Sequence, residues 1–170
     1  MTSLNPVNVS CARHFLIECF DPGGVLKWRE EIWNLTVDEG LDEILDKFWK
    51  GASYTASHFI GLTDGTPTFA AGDTMGSHAG WAEVTAYDET ARPSFNPGTV
   101  SGQSVDNSGS KATYTINASV TVGGAFVTTN STKGGTSGIL IGEGPFNSGD
   151  RSAQAGDTIN VTVTATAASS

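Results

Sequence analysis

The residues of this chain best suited to chemistry are three histidines, two cysteines and two carboxylate runs, and their spacing argues against most of the chemistry they could do. His14, His58 and His78 stand far apart, and no HxH, HxxxH or CxxC spacing occurs, so the familiar metal-ligand patterns are missing. His78 with Asp73 and Glu83 could gather around an ion, but a lone histidine in a Gly-rich loop is ordinarily a surface residue. Two carboxylates flanking a glycosidic bond could cleave it. Here Asp38 to Asp46 reads as the solvated side of a helix, and Asp88-Glu89 as loop charge answering Arg92. No GxSxG elbow offers a nucleophilic serine. Gly134-Gly-Thr-Ser-Gly138 lacks the lysine of a phosphate-binding loop and opens no helix, so it reads as a hairpin turn. Trp28, Trp33, Trp49 and Trp81 with Phe59 and Tyr87 could line a sugar platform, yet most read as core. Trp81 and Met75, bordering a long loop, are the ones expected to be partly exposed. The sequence nominates no catalytic residue, no metal ligand and no cofactor site.

The elements that would carry these residues are mainly β. One stretch reads as helix, over about residues 37–50. Leu41, Ile44, Leu45, Phe48 and Trp49 fall at helical spacing on one stripe, which predicts a face buried against a sheet. Thr36 with Glu39 fits a capping box, Asp38 and Glu39 suit the positive end of the dipole, and Gly51 suits a left-handed C-cap. On this reading the helix is scaffold, and a charge at Leu45 unfolds the protein. Residues 1–12, containing Leu4, Pro6 and Val7, read as an arm, and 13–170 as a single β-sandwich domain that includes an N-terminal hairpin and the helix.

Arg13 to Phe20 and Val25 to Leu35 form that hairpin around the Asp21-Pro-Gly-Gly24 turn, with a bulge expected at Arg29 to Glu31. His58 to Leu62 is a short apolar strand, and Trp81 to Tyr87 alternates as another. Between them Thr63 to Gly80 is a Gly-punctuated loop, long for a compact domain. Lys111 to Val122 and Asp157 to Ala167 alternate throughout, with Ala118 on the apolar side of the first. Shorter strands are expected at Gly124 to Thr129 and Gly138 to Gly142. Seven or eight such strands predict an antiparallel β-sandwich or jelly roll with one amphipathic helix packed on it.

Composition narrows the partners. The chain has 170 residues, 16% charged, with a net charge of −9. It has no basic cluster, so direct nucleic-acid binding is not expected. The acidic balance suits solubility or a basic protein surface. No apolar segment is long enough to span a membrane, and no secretory leader is visible. Cys11 and Cys19, eight residues apart, lie roughly 26 Å from each other on an extended strand, beyond disulfide reach. They are expected as free thiols packed like small apolar groups.

The order FDPGGVLKWREEIWNLTVDEGLDEILDKFWKG, then HFIGLTDGTPTFAAGDTM, HAGWAEVTAYDETARPSF, ATYTIN and GGAFVTTNSTKGGTSGILIGEGPFNSGDRSAQAGDTINVTVT, resembles a family of small structural proteins of tailed bacteriophages. The resemblance runs over nearly the whole chain from about Phe15. It implies a virion component without enzymatic activity, of the capsid decoration (cement) or tail-associated type. The expectation is a protein made in the bacterial cytoplasm that binds the assembled major capsid protein lattice on the outer capsid surface, self-associating as a dimer or trimer. The alternative is a tail-fibre module binding host glycan. Leu4, Pro6, Val7, Phe69, Met75, His78 and Trp81, from the arm and the long loop, are the expected partner contacts.

Overall fold

The structure, a computed structural model, describes residues 9–54 and 57–169. In chain order the elements are β1 (Val9–Phe20), β2 (Leu26–Trp33), α1 (Asp38–Ile44) running into a π-helical turn (Leu45–Trp49), β3 (Phe59–Thr63), β4 (Ser104–Asp106), β5 (Ala112–Thr115), β6 (Val120–Val122), β7 (Gly124–Thr128), β8 (Leu140–Pro145), β9 (Arg151–Ala153) and β10 (Thr158–Ser169). One sheet runs β2-β1-β10-β4, with β5 beside the first half of β10; a second runs β3-β7-β8, and β6 pairs β9. Every pairing is antiparallel. Among the described residues the protein is thus mainly β with a single short helix.

Alternation builds the core between the two larger sheets. Phe15, Ile17 and Cys19 of β1 and Ile159, Val161 and Val163 of β10 are buried in one cluster with Ile60 and Leu62 of β3 and Ala125 and Val127 of β7. Tyr114 joins the layers by a second means, donating its hydroxyl hydrogen to the Ile60 carbonyl at 2.6 Å. Along β10, β4 takes Thr164 to Thr166 and β5 takes Thr158 to Val161. Asn107 fills the gap: its amide donates to the Val161 carbonyl at 3.2 Å and its carbonyl accepts from Val163 N–H at 2.7 Å. The side chain replaces the missing ladder bonds, which a buried backbone requires.

The β3-β7-β8 sheet is covered on both faces, so β7 is buried at every position. Phe126 points away from the main core into a second cluster with Val37, Met75, Trp81 and Leu140. Opposite it, Gly61 has no alternative: a Cβ there would stand 2.1 Å from the Phe126 ring.

Several expectations need correcting. β1 begins at Val9, so residues 9–12 of the expected arm belong to the sheet, paired with Ala167 to Ser169 and Thr166. Leu4, Pro6 and Val7 lie outside the described residues. The hairpin irregularity falls opposite Cys19 and Phe20, where Lys27 is the extra residue, and not at 29–31. Glu30 therefore points inward beside Ile32, ion-paired to Arg151. Trp81 to Tyr87 makes only isolated bridges, Thr63 with Glu83 and Tyr87 with Ile116. Lys111 to Val122 divides: β5 follows β10, then the chain crosses to β9, leaving Ala118 exposed. Of the two free cysteines, Cys19 is buried as expected and Cys11 is exposed.

Candidate functional site

The expected contact residues of the long loop are brought together, but inside the protein. Met75 is 1% exposed and Trp81 7%. Trp81 stands 4.7 Å from the Phe126 ring, Phe69 meets it edge-on at 6.2 Å, and His78 stacks over it at 3.8 Å. His78 and Phe69 are the half-buried outer cover of this cluster. The loop is therefore a wall of the second core, and Trp81 and Met75 are not the partly exposed residues the sequence suggested.

Polar groups lock this wall. Trp81 Nε1–H donates to Glu143 Oε2 at 2.9 Å. Burial, with the neighbouring Asp73 carboxyl second, raises the Glu143 pKa to about 8. Arg92, fully buried, forks onto Glu83 at 2.9 and 2.7 Å and donates to the carbonyls of Asn130 and Gly135. Its guanidinium also lies 5.3 Å from the Phe126 ring centroid. Asp88-Glu89 does not answer Arg92: Glu89 accepts from Thr115, and Asp88 from Asn117.

The helix is rotated by roughly a quarter turn from its expected orientation. Val37 and Gly40 are its buried positions, and α1 lies against β8. At Gly40 a Cβ would stand 2.3 Å from the Ile141 carbonyl oxygen, so only glycine lets the helix backbone approach so closely. On an ideal helix Gly40 is about 100° round from Leu41. Seating the Gly40 side consequently swings the large apolar residues outward. Leu41, Leu45, Phe48 and Trp49 are 44%, 55%, 76% and 75% exposed, with Ile44 half-buried. Phe48 and Trp49 brace each other edge-to-face at 5.3 Å.

The helix ends also differ from expectation. Val37 is the N-cap and makes no side-chain cap bond. Thr36 instead accepts from Arg13 at 3.3 Å, and Glu39 accepts from Leu140 N–H, tying the helix to β8. The last turn widens to a π-turn, with Lys50 N–H reaching the Leu45 carbonyl at 3.2 Å. Single π-turns recur at functional sites because they reposition side chains at a cost in regularity. Gly51 does take the left-handed conformation its position predicts, with φ of +72°.

A shallow groove runs beside the apolar ridge, lined by the apolar Leu45, Trp49 and Ile139 together with Glu39, Asp42, Glu43, Asp46 and Lys50. Lys50 pairs with Asp46 at 2.9 Å, and Lys47 lies 3.8 Å from Glu43. The Lys50 hydrogen bond holds the Asp46 carboxyl below its ordinary pKa. Five carboxylates and two lysines fall in residues 38–50, so the surface is acidic on balance.

The ridge is the feature sequence reasoning misplaced, and one signal pointed to it. A glycine inside a short helix costs about 1 kcal/mol against alanine, so Gly40 marks a packing demand at its own face. Elsewhere, His14 lies beside Trp33 at 5.0 Å and near Glu31 at 3.5 Å. His58 is held below the ordinary histidine pKa by burial, with Arg13 adding repulsion. Among the described residues no three His, Cys, Asp or Glu side chains gather closely enough to hold a metal ion, and no helix is long and apolar enough to cross a membrane. No family model matches the chain, and no curated protein matches it.

Proposed function

We propose that this chain is a non-enzymatic structural protein of a tailed-bacteriophage particle, a decoration (cement) protein that binds the assembled major capsid protein lattice and stabilises the head. The observation that carries this reading is the exposed ridge of Leu41, Leu45, Phe48 and Trp49, four large apolar side chains on one short helical segment; Trp33, Tyr54 and Val100 are exposed elsewhere. Two aromatic rings at that exposure present on the order of 300 Å² of apolar surface, in the range where patches mark interaction sites. Such a face loses water contact when a second protein covers it. Repeated over a lattice, a modest contact of this kind stabilises the whole shell by mass action. The sequence resemblance to phage structural proteins supports the same reading.

A tail-fibre module binding host glycan is the second reading, favoured by the exposed Phe48 and Trp49 rings, on which sugars could stack. Copy number separates the two. Quantitative gels of purified particles should show the protein in proportion to the major capsid protein, and particles stripped of it should lose DNA at a lower temperature. A handful of copies per particle, with unchanged heat resistance of the head, would defeat the decoration reading in favour of the tail.

A further inference from the structure

We infer that the helix ridge docks a basic protein segment, one that sets an apolar side chain against Phe48 and Trp49 and places Lys or Arg beside Asp42, Glu43 and Asp46. This rests on the proposed particle role and specifies the chemistry of its partner. Charge complementarity selects the occupant. Four carboxylates and Lys50 line the groove beside the ridge. Asp46 lies between Lys47 and Lys50, Glu43 lies near Lys47 and Glu39 holds Leu140 N–H, and the carboxylates of residues 38–50 still outnumber the two lysines. An apolar contact there removes water from around those carboxylates, and cationic partner groups offset that cost while fixing register.

The same charges exclude the other occupants. A second copy would bring its own five carboxylates and two lysines of residues 38–50 against these. An anionic lipid surface meets the same repulsion. Residues 1–8 of this chain carry Leu4 and Val7 but no basic side chain, so they match the apolar half of the surface alone. The seating of the helix adds a reason for the ridge to keep its shape. Gly40 against Ile141 and Glu39 on Leu140 N–H hold α1 from its inner side, leaving the outer side pre-formed for a partner.

The test titrates the whole chain with a synthetic amphipathic Leu/Lys helix and with the same helix carrying Glu in place of Lys. The Leu/Lys probe should bind, with an affinity that falls steeply as salt rises, and the Leu/Glu probe should not. Phe48→Ser with Trp49→Ser should lose at least about tenfold in affinity, and Asp42→Asn with Glu43→Gln should flatten the salt dependence. Both variants should keep the parent melting temperature, since neither pair is buried. Four results would overturn the inference: equal binding of the Leu/Glu probe, unchanged binding by the doubly Ser-substituted chain, a ridge-dependent dimer in sedimentation, or partitioning onto phosphatidylglycerol vesicles. Tighter probe binding after deletion of residues 1–8 would make that segment the occupant instead. Particle binding separates the two levels. Full occupancy of particles by the doubly Ser-substituted chain sinks the ridge and leaves the particle role. Absence of the parent chain from particles sinks the role, while the probe titration still decides the ridge.

Discussion

The loop wall and the helix ridge are opposites in sequence and opposites in structure, but with the roles exchanged. The loop between β3 and β4 lacks periodicity and is rich in glycine, yet it delivers Met75 and Trp81 to a buried cluster. The helix has apolar periodicity and a clean stop, yet it presents that periodicity to solvent. What differs is the supply of specific anchors. The loop is held by Trp81 on Glu143 and by Arg92 on Glu83, Asn130 and Gly135. The helix is held at its start by buried Val37 and by Asp38 N–H on the Ala71 carbonyl, by its backbone at Gly40 and by the Glu39 carboxylate, with its large side chains left over. Periodicity reports which residues share a face. Which face is buried is decided by the closest approach available to it.

Substitutions can break or sharpen this contrast. The largest loss is expected at the loop: Trp81→Ala should cost about 3–5 kcal/mol in chemical denaturation, through the cavity at Phe126 and the abandoned Glu143 carboxyl. Arg92→Ala should cost a similar amount, about 3–5 kcal/mol, because it strands Glu83 without its buried partner. A cost near zero at either position would show that the loop is not a core wall.

Next comes the pH response of Glu143. Its folded pKa, raised to about 8, lies above the ordinary carboxyl value of 4.5. The protonated form therefore contributes stability that is complete below about pH 4.5 and is lost as pH rises through about 8. Thermal melts should show stability falling over that window, and Glu143→Gln should flatten the fall, an effect on the order of a few kcal/mol. A melt series with the same slope in both proteins would remove the buried carboxyl as its source.

On the helix, Gly40→Ala should cost about 1–3 kcal/mol by pushing the helix off β8, whereas alanine in an unconstrained helix would help. The smallest effects belong to the ridge. Leu45→Asp and Trp49→Ala should each change stability by no more than about 0.5 kcal/mol, with unchanged circular dichroism. Unfolding by Leu45→Asp would restore the picture of a buried stripe.

The fold was legible where a local rule coincides with a long-range one. β10 alternates cleanly because one of its faces lines the core, and the Asp21 to Gly24 turn is set by Pro22 and by Gly24 at a φ of +81°. Lys111 to Val122 alternates just as cleanly, but it serves two partners in succession, and the exchange near Ile116 leaves no mark on periodicity. β4 and β9, three residues each, are too short to carry a pattern. Of the expected contacts, Phe69, Met75, His78 and Trp81 do share one locality, grouped by the loop that holds them. Their burial depends on Phe126, Leu140 and Val37, which arrive from distant parts of the chain.

The register of β1 against β10 has a bearing on how the molecule comes into being. Twelve residue pairs join them, from Phe20 with Thr158 to Val9 with Ser169, so the partners are separated by 158 − 20 = 138 to 169 − 9 = 160 positions. The middle of the larger sheet thus consists of strands that leave the ribosome far apart in time. Until β10 is present, the edge of β1 that it covers is unpaired. Pairings of such long sequence separation are the slow kind to form, and an unpaired strand edge is the kind of surface on which chains aggregate. A chain stopped before β10 lacks the strand to which β1, β4 and β5 all pair.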